Sequence, residues 1–275
     1  MNVRLPDGYT MFVEELGDRD RLPVVLLHGG PGLDHTHLRP WLDPLADEFR
    51  LLYVDERGQG RSERVDPSTL SLEVFARDVD LLAEALELDR FALLGHSFGA
   101  IVTTWHAVNV GTADAYVISG GGDSSAALMA DVEASLEALG TAGQPIAESW
   151  EWEKTVATPD ECAELMRIQT PFHFAGDPPP NFAAETVYVP EVLRHFANVG
   201  YGDFDYTGEL GRVSRPTLVV VGAEDRTTTP RAARVLHEGI PGSRYVELER
   251  AGHMSMCEAQ DAYLDAIRTF LRGVS

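Results

Sequence analysis

"LLGHSFGA" occupies residues 93–100 and places Ser97 between two glycines, directly behind a run of apolar residues. Gly-x-Ser-x-Gly is short enough to arise by chance, so its surroundings decide what it means. The residues leading in, "FALLGHS" (91–97), are a short leucine-rich run of the kind that forms a buried strand. Those leading out, "FGAIVTTWHAV" (98–108), read as a helix. Ser97 therefore sits where a strand turns sharply into a helix. That turn lifts the hydroxyl to the rim of a sheet and aims a helix N-terminus at negative charge developing beside it. Gly95 and Gly99 suit it because a Cβ at either would meet neighbouring backbone.

The rest of the chain repeats the strand-then-helix rhythm. "PVVLLHGG" (23–30), "RLLYVDERG" (50–58), "AYVISGGG" (115–122) and "TLVVVGAED" (217–225) are further apolar runs ending in glycine or polar residues. Continuous rather than alternating apolar runs are what strands covered on both faces require. Across residues 72–88 the apolar positions Leu72, Phe75, Val79, Leu82 and Leu86 recur at helical spacing, with Ser71 placed as N-cap. Residues 230–240 and 260–271 read as later helices, 244–249 as the last strand, and 10–18 as an antiparallel edge strand. This pattern predicts an α/β fold, a mostly parallel sheet with helices on both faces.

From about residue 123 to 205 the strand signals fade, and acid-rich, aromatic, helix-like segments take over, including the proline-rich "GDPPPN" (176–181). The expected organisation is a core of residues 1–122 and 206–275 with a helical cap of residues 123–205. Placed between sheet strands at their carboxyl ends, such an insertion reads as a lid over a ligand site.

A serine hydroxyl is a poor nucleophile until a base takes its proton, so Ser97 calls for a histidine and an acid to orient it. "VVVGAED" offers Asp225 at a strand end, with Glu224 as the runner-up, and "ERAGHMS" offers His253 just after the last strand. The order Ser, Asp, His suits a nucleophile on such a turn. "HGGPG" (28–32) can present a backbone N–H beside Ser97, Gly30 first and Gly29 as fallback, with the N–H of Phe98 as the second donor. His28 reads as a structural hydrogen-bonder beneath that loop.

Composition sets bounds on partners. The 275 residues are 44% hydrophobic and 24% charged, the balance of a globular protein. Forty-four acids against 22 basic residues give a net charge of −22, which repels nucleic acid and anionic membranes; its first reading is solubility, and its second a field favouring neutral or cationic substrates. No apolar run approaches the ~18 residues of a membrane span, and the N-terminal residues lack a signal-peptide core, so a cytoplasmic protein is expected. Cys162 and Cys257 show no paired or metal-ligand spacing, and neither do the histidines, so no disulfide, metal or cofactor is expected.

"HGGPG", "DERGQGRS" (55–62), "GHSFG" and "AGH", in that order, resemble the α/β-hydrolase superfamily over nearly the whole chain. With "GAEDRTTTP" (222–230) they resemble its proline iminopeptidase group, which removes N-terminal residues from peptides beneath a helical cap. The resemblance implies the triad Ser97, Asp225 and His253 and the oxyanion donors Gly30 and Phe98, acting on a small-molecule or short-peptide substrate. Some relatives hold the substrate amine with a glutamate right after the triad aspartate; here that position is Arg226. A cap carboxylate must then bind the ammonium, because a cation leaving water needs a partner. Asp203 in "GYGDFDY" (200–206) is the first candidate and Glu153 in "SWEWE" (149–153), beside Trp152, the second. The alternative on the same machinery is a carboxylesterase or lactonase acting on small acyl esters.

Overall fold

The computed structural model describes residues 1–180 and 182–274; Asn181, the last residue of the proline-rich stretch, and Ser275 lie outside the described residues. The strands are β1 (Asn2–Arg4), β2 (Thr10–Leu16), β3 (Pro23–Leu27), β4 (Arg50–Asp55), β5 (Ala92–His96), β6 (Ala115–Ser119), β7 (Thr217–Gly222) and β8 (Arg244–Leu248). They form one eight-stranded sheet in the order β1-β2-β4-β3-β5-β6-β7-β8. β1 with β2 and β2 with β4 pair antiparallel, and the other neighbours pair parallel. The antiparallel strand expected at the edge is β2, but it lies one place inside. β1 covers it, and three residues are too few to show a period.

The helices are α1 (Leu72–Ala85), α2 (Phe98–Asn109), α3 (Ser125–Ala138), α4 (Gln144–Glu153), α5 (Pro159–His173), α6 (Pro190–Asn198), α7 (Pro230–Gly239), α8 (Ser255–Glu258) and α9 (Gln260–Arg272). Along β3, Val24 and Leu26 enter one apolar cluster and Val25 and Leu27 the other. Both faces of the pleat are thus dry, which is why the run shows no polar alternation. Phe75, Val79 and Leu82 of α1 and Leu236 of α7 pack on one face; Tyr263, Leu264 and Ile267 of α9 pack on the other. Ser71 caps α1 by accepting from the Val74 amide at 3.3 Å. The helix ends at Ala85, short of the expected residue 88, as Glu87 turns into left-handed backbone at φ 53°.

Between β6 and β7 the chain runs through α3, α4, α5 and α6. The two ends of this segment meet. Ser124 and Asp205 form an isolated antiparallel bridge, the Ser125 amide donates to Phe204 O at 2.8 Å, and the Tyr206 amide donates to Asp123 O at 2.9 Å. The segment rests on the loop after β3, where the Val189 amide donates to Gly32 O at 2.8 Å. At Gly32, φ +83°, a Cβ would lie 2.8 Å from the Leu193 backbone nitrogen, so only glycine admits α6 this closely. Asp131 of α3 accepts from Thr229 Oγ1 at 2.5 Å and from Arg231 Nε at 2.9 Å, tying the segment to the residues that follow Asp225. No helix among the described residues is long and apolar enough to cross a membrane.

Candidate active site

Ser97 stands between β5 and α2 at φ 57° and ψ −117°, a backbone conformation that non-glycine residues rarely hold. Close packing enforces it. A Cβ on Gly95 would lie 2.0 Å from Gly99 O, and one on Gly99 would lie 2.5 Å from Leu27 O. The Gly99 amide donates to His28 O at 2.9 Å, so the turn at Ser97 and the loop after β3 are bonded to each other.

That loop is organised by two imidazoles. The Glu56 amide donates to His28 Nε2 at 3.2 Å, which leaves Nδ1 protonated to donate to Gly29 O at 2.7 Å. The Gly29 amide donates to His37 Nε2 at 3.0 Å and so is not free for a ligand. Fixing the Gly29 carbonyl on one side of a planar peptide turns the Gly30 N–H to the other. Neither the Gly30 nor the Phe98 amide donates to a protein acceptor among the described residues, and Phe98, first in α2, has no intrahelical one.

His253 follows β8, and its Nδ1 donates to Asp225 Oδ2 at 2.8 Å, leaving Nε2 as the basic nitrogen. Asp225 is buried beyond β7 and saturated: Oδ1 accepts from the Thr227 and Thr228 amides at 2.8 and 2.9 Å, and Oδ2 accepts from Thr228 Oγ1 at 2.9 Å. Glu224, the runner-up, is exposed. The rings of His96 and His173 lie 4.8 and 5.4 Å from that of His253. Burial, and then the charge His253 can carry, push His173 down to about 3 and His96 well below its ordinary value. The two imidazoles that flank His253 are thus held neutral.

Ser97, His253 and Gly30 open into one cavity of about 460 Å³, roofed by α3, α4 and α5. Glu153 is in its wall, 4% exposed, accepting from Gln169 Nε2 at 2.7 Å and from the Tyr201 hydroxyl. Burial pushes its carboxyl up to about 7 against the pull of those two donors.

The other two cap candidates are elsewhere. Asp203 is exposed at a left-handed position, φ 47°, outside the cavity lining, because the turn Gly200–Gly202 presents Tyr201 inward and the aspartate to solvent. Trp152 packs among Val156, Cys162, Leu165 and Leu193, and Trp150 lines the cavity instead. Gln169 went unread in the sequence, as a single polar residue with no local signature; Thr228 lay in the quoted "GAEDRTTTP" without a role of its own, and His37, read only as lacking metal-ligand spacing, is a buried hydrogen-bonder. Tyr201 stood in the stretch that pointed to Asp203. Asp34, His35 and Asp55 cluster away from the cavity, but Arg61 and backbone amides occupy their oxygens.

Residues 23–260 match the alpha/beta hydrolase fold family. The chain is 27% identical over 285 residues to the proline iminopeptidase of Lactobacillus crispatus (strain ST1), covering 96% of this chain and 95% of that protein. The crystal structure of the Mycobacterium smegmatis proline iminopeptidase superposes with a TM-score of 0.78 at 19% identity, over 100% of this chain and 98% of the other. The esterase EaEST from Exiguobacterium antarcticum superposes with a TM-score of 0.76 at 19% identity, over 99% of both chains. At such identities the two superpositions speak for the fold alone.

Proposed function

Because the chain belongs to the alpha/beta hydrolase fold family, we propose that it is a serine hydrolase built on Ser97, His253 and Asp225, removing one small apolar residue from the free N-terminus of a peptide or aminoacyl amide. His253 Nε2 takes the Ser97 proton as Oγ attacks the carbonyl carbon. The Gly30 and Phe98 amides receive the negative charge on the carbonyl oxygen, and Asp225 steadies the imidazolium. His253 then hands the proton to the amide nitrogen, the C–N bond breaks and the amine leaves. Water, deprotonated by His253, releases the acyl group from Ser97 as a free amino acid.

The placement of Glu153 carries the exopeptidase reading. Its partner Gln169 and the His173 beside His253 lie four residues apart on α5, one turn or about 6 Å along the axis. A substrate α-amine lies two bonds from the carbonyl that Ser97 attacks, so a buried carboxylate lining the same cavity as Ser97 and His253 suits it. Among the described residues no other acid in the cavity lining is buried.

Kinetics on alanyl and prolyl amides, with and without N-acetylation and beside simple acyl esters, test the reading. Acetylation removes the cation, so kcat/KM falls on the order of 10²-fold or more. Ser97→Ala lowers kcat by about 10⁴-fold on every substrate it turns over. Equal turnover of free and blocked substrates would instead identify a carboxylesterase or lactonase, which the largely apolar cavity also suits.

A further inference from the structure

Building on the aminopeptidase reading, we propose that the released amine is long and apolar, so that the substrates are aminoacyl amides of hydrophobic amines. Volume is the first ground. The cavity's 460 Å³ equals the liquid volume of roughly fifteen water molecules, and an alanyl or prolyl group fills a minor part of it.

The walls are the second ground. Beside Glu153 the lining holds its buried partner Gln169, and Leu165 and Leu193 of the same lining are buried too. The cavity also reaches solvent: Met129 is 47% exposed, and Glu133, Glu151 and Lys154 in its lining stand exposed. With the ammonium on Glu153 and the carbonyl at Ser97, the remainder of the substrate lies against the rest of the lining. Its path follows Leu128, Met129, Val132 and Leu136, a single face of α3 that extends about 12 Å, and faces Ala147 and Trp150 of α4. Charge returns only at the mouth, where Lys154 pairs with Glu151 at 2.7 Å. Peptide groups drawn along those side chains would leave water without gaining hydrogen-bond partners, whereas an alkyl or aryl chain gains from the same burial. Hydrolysis then yields a free amino acid and a hydrophobic primary amine, with water supplying the hydroxyl and proton.

The test is a series of alanyl amides of methyl-, butyl-, hexyl- and octylamine, each with a free and an acetylated amine. For the free-amine series kcat/KM rises about threefold to fourfold per methylene until the chain spans the α3 wall. Val132→Glu cuts the octyl-to-methyl ratio at least tenfold; Met129→Glu, at an exposed position where folding is not at stake, lowers the same ratio. A flat series in which free amines remain preferred overturns the apolar leaving group and leaves the aminopeptidase standing. A series in which acetylated amides react as fast as free ones overturns the aminopeptidase itself.

Discussion

A carboxyl group that folding takes out of water keeps its proton to higher pH, and Glu153 does so even with Tyr201 and Gln169 donating to it. Its folded value of about 7 lies above the ordinary 4.5, so between these the native state binds more protons than the unfolded chain. Stability from this group is complete below about pH 4.5 and is lost as pH rises through about 7, a difference of roughly 3 kcal/mol. Glu153→Gln removes that loss. Thermal unfolding should show the variant level with the parent at pH 5 and more stable at pH 8, and an equal gap at both pH values would refute the burial account. An arriving ammonium supplies the missing counter-charge, so a group that weakens the empty protein strengthens the complex.

Whole elements, more than single side chains, decide how the helices between β6 and β7 meet the sheet. Arg231 at the start of α7 holds both Asp123 and Asp131, and Thr229 donates to the same Asp131, so α3 is fastened to the turn that carries Asp225. Asp225 itself is held by the Thr227 and Thr228 amides, which this fastening does not touch. Asp131→Ala should therefore raise KM about threefold to tenfold, the scale of a partly exposed ionic pair or two, while kcat stays within about twofold. A fall in kcat with KM unchanged would mean that α3 supports the acid rather than the substrate. Elements also explain what could be read in the sequence. The sheet was legible because β3, β4, β5, β6 and β7 are buried on both faces and so are largely apolar, and the pairing of His253 with Asp225 because each follows a strand, the partly exposed β8 and the buried β7. The cap was not legible in the same way. "SWEWE" lies on α4, where neighbouring helices decide which side turns inward, and Trp152 went to α5 and α6 while Trp150 and Glu153 went to the cavity. Asp203 missed the cavity because Tyr201 and Asp203 both take left-handed backbone, which no periodicity announces.

Over the whole molecule the charge of −22 draws cations toward the surface and repels anions. Raising the salt from about 20 mM to about 500 mM should lower kcat/KM for free-amine amides severalfold and leave neutral esters unchanged, because screening shortens the reach of the field from roughly 20 Å to a few ångströms. Salt-independent rates for both would show that the acidic surface serves solubility only. The molecule's plan also bears on its descent. Residues 123–125 bond to residues 204–206, so the four intervening helices leave and rejoin the sheet through a single doorway. The strands that hold Ser97, Asp225 and His253 all lie outside that doorway. If the proposed function holds, appetite and reactivity are heritable apart: recombining one contiguous stretch of the gene gives a lineage a new diet while the residues proposed to break the bond pass down unaltered.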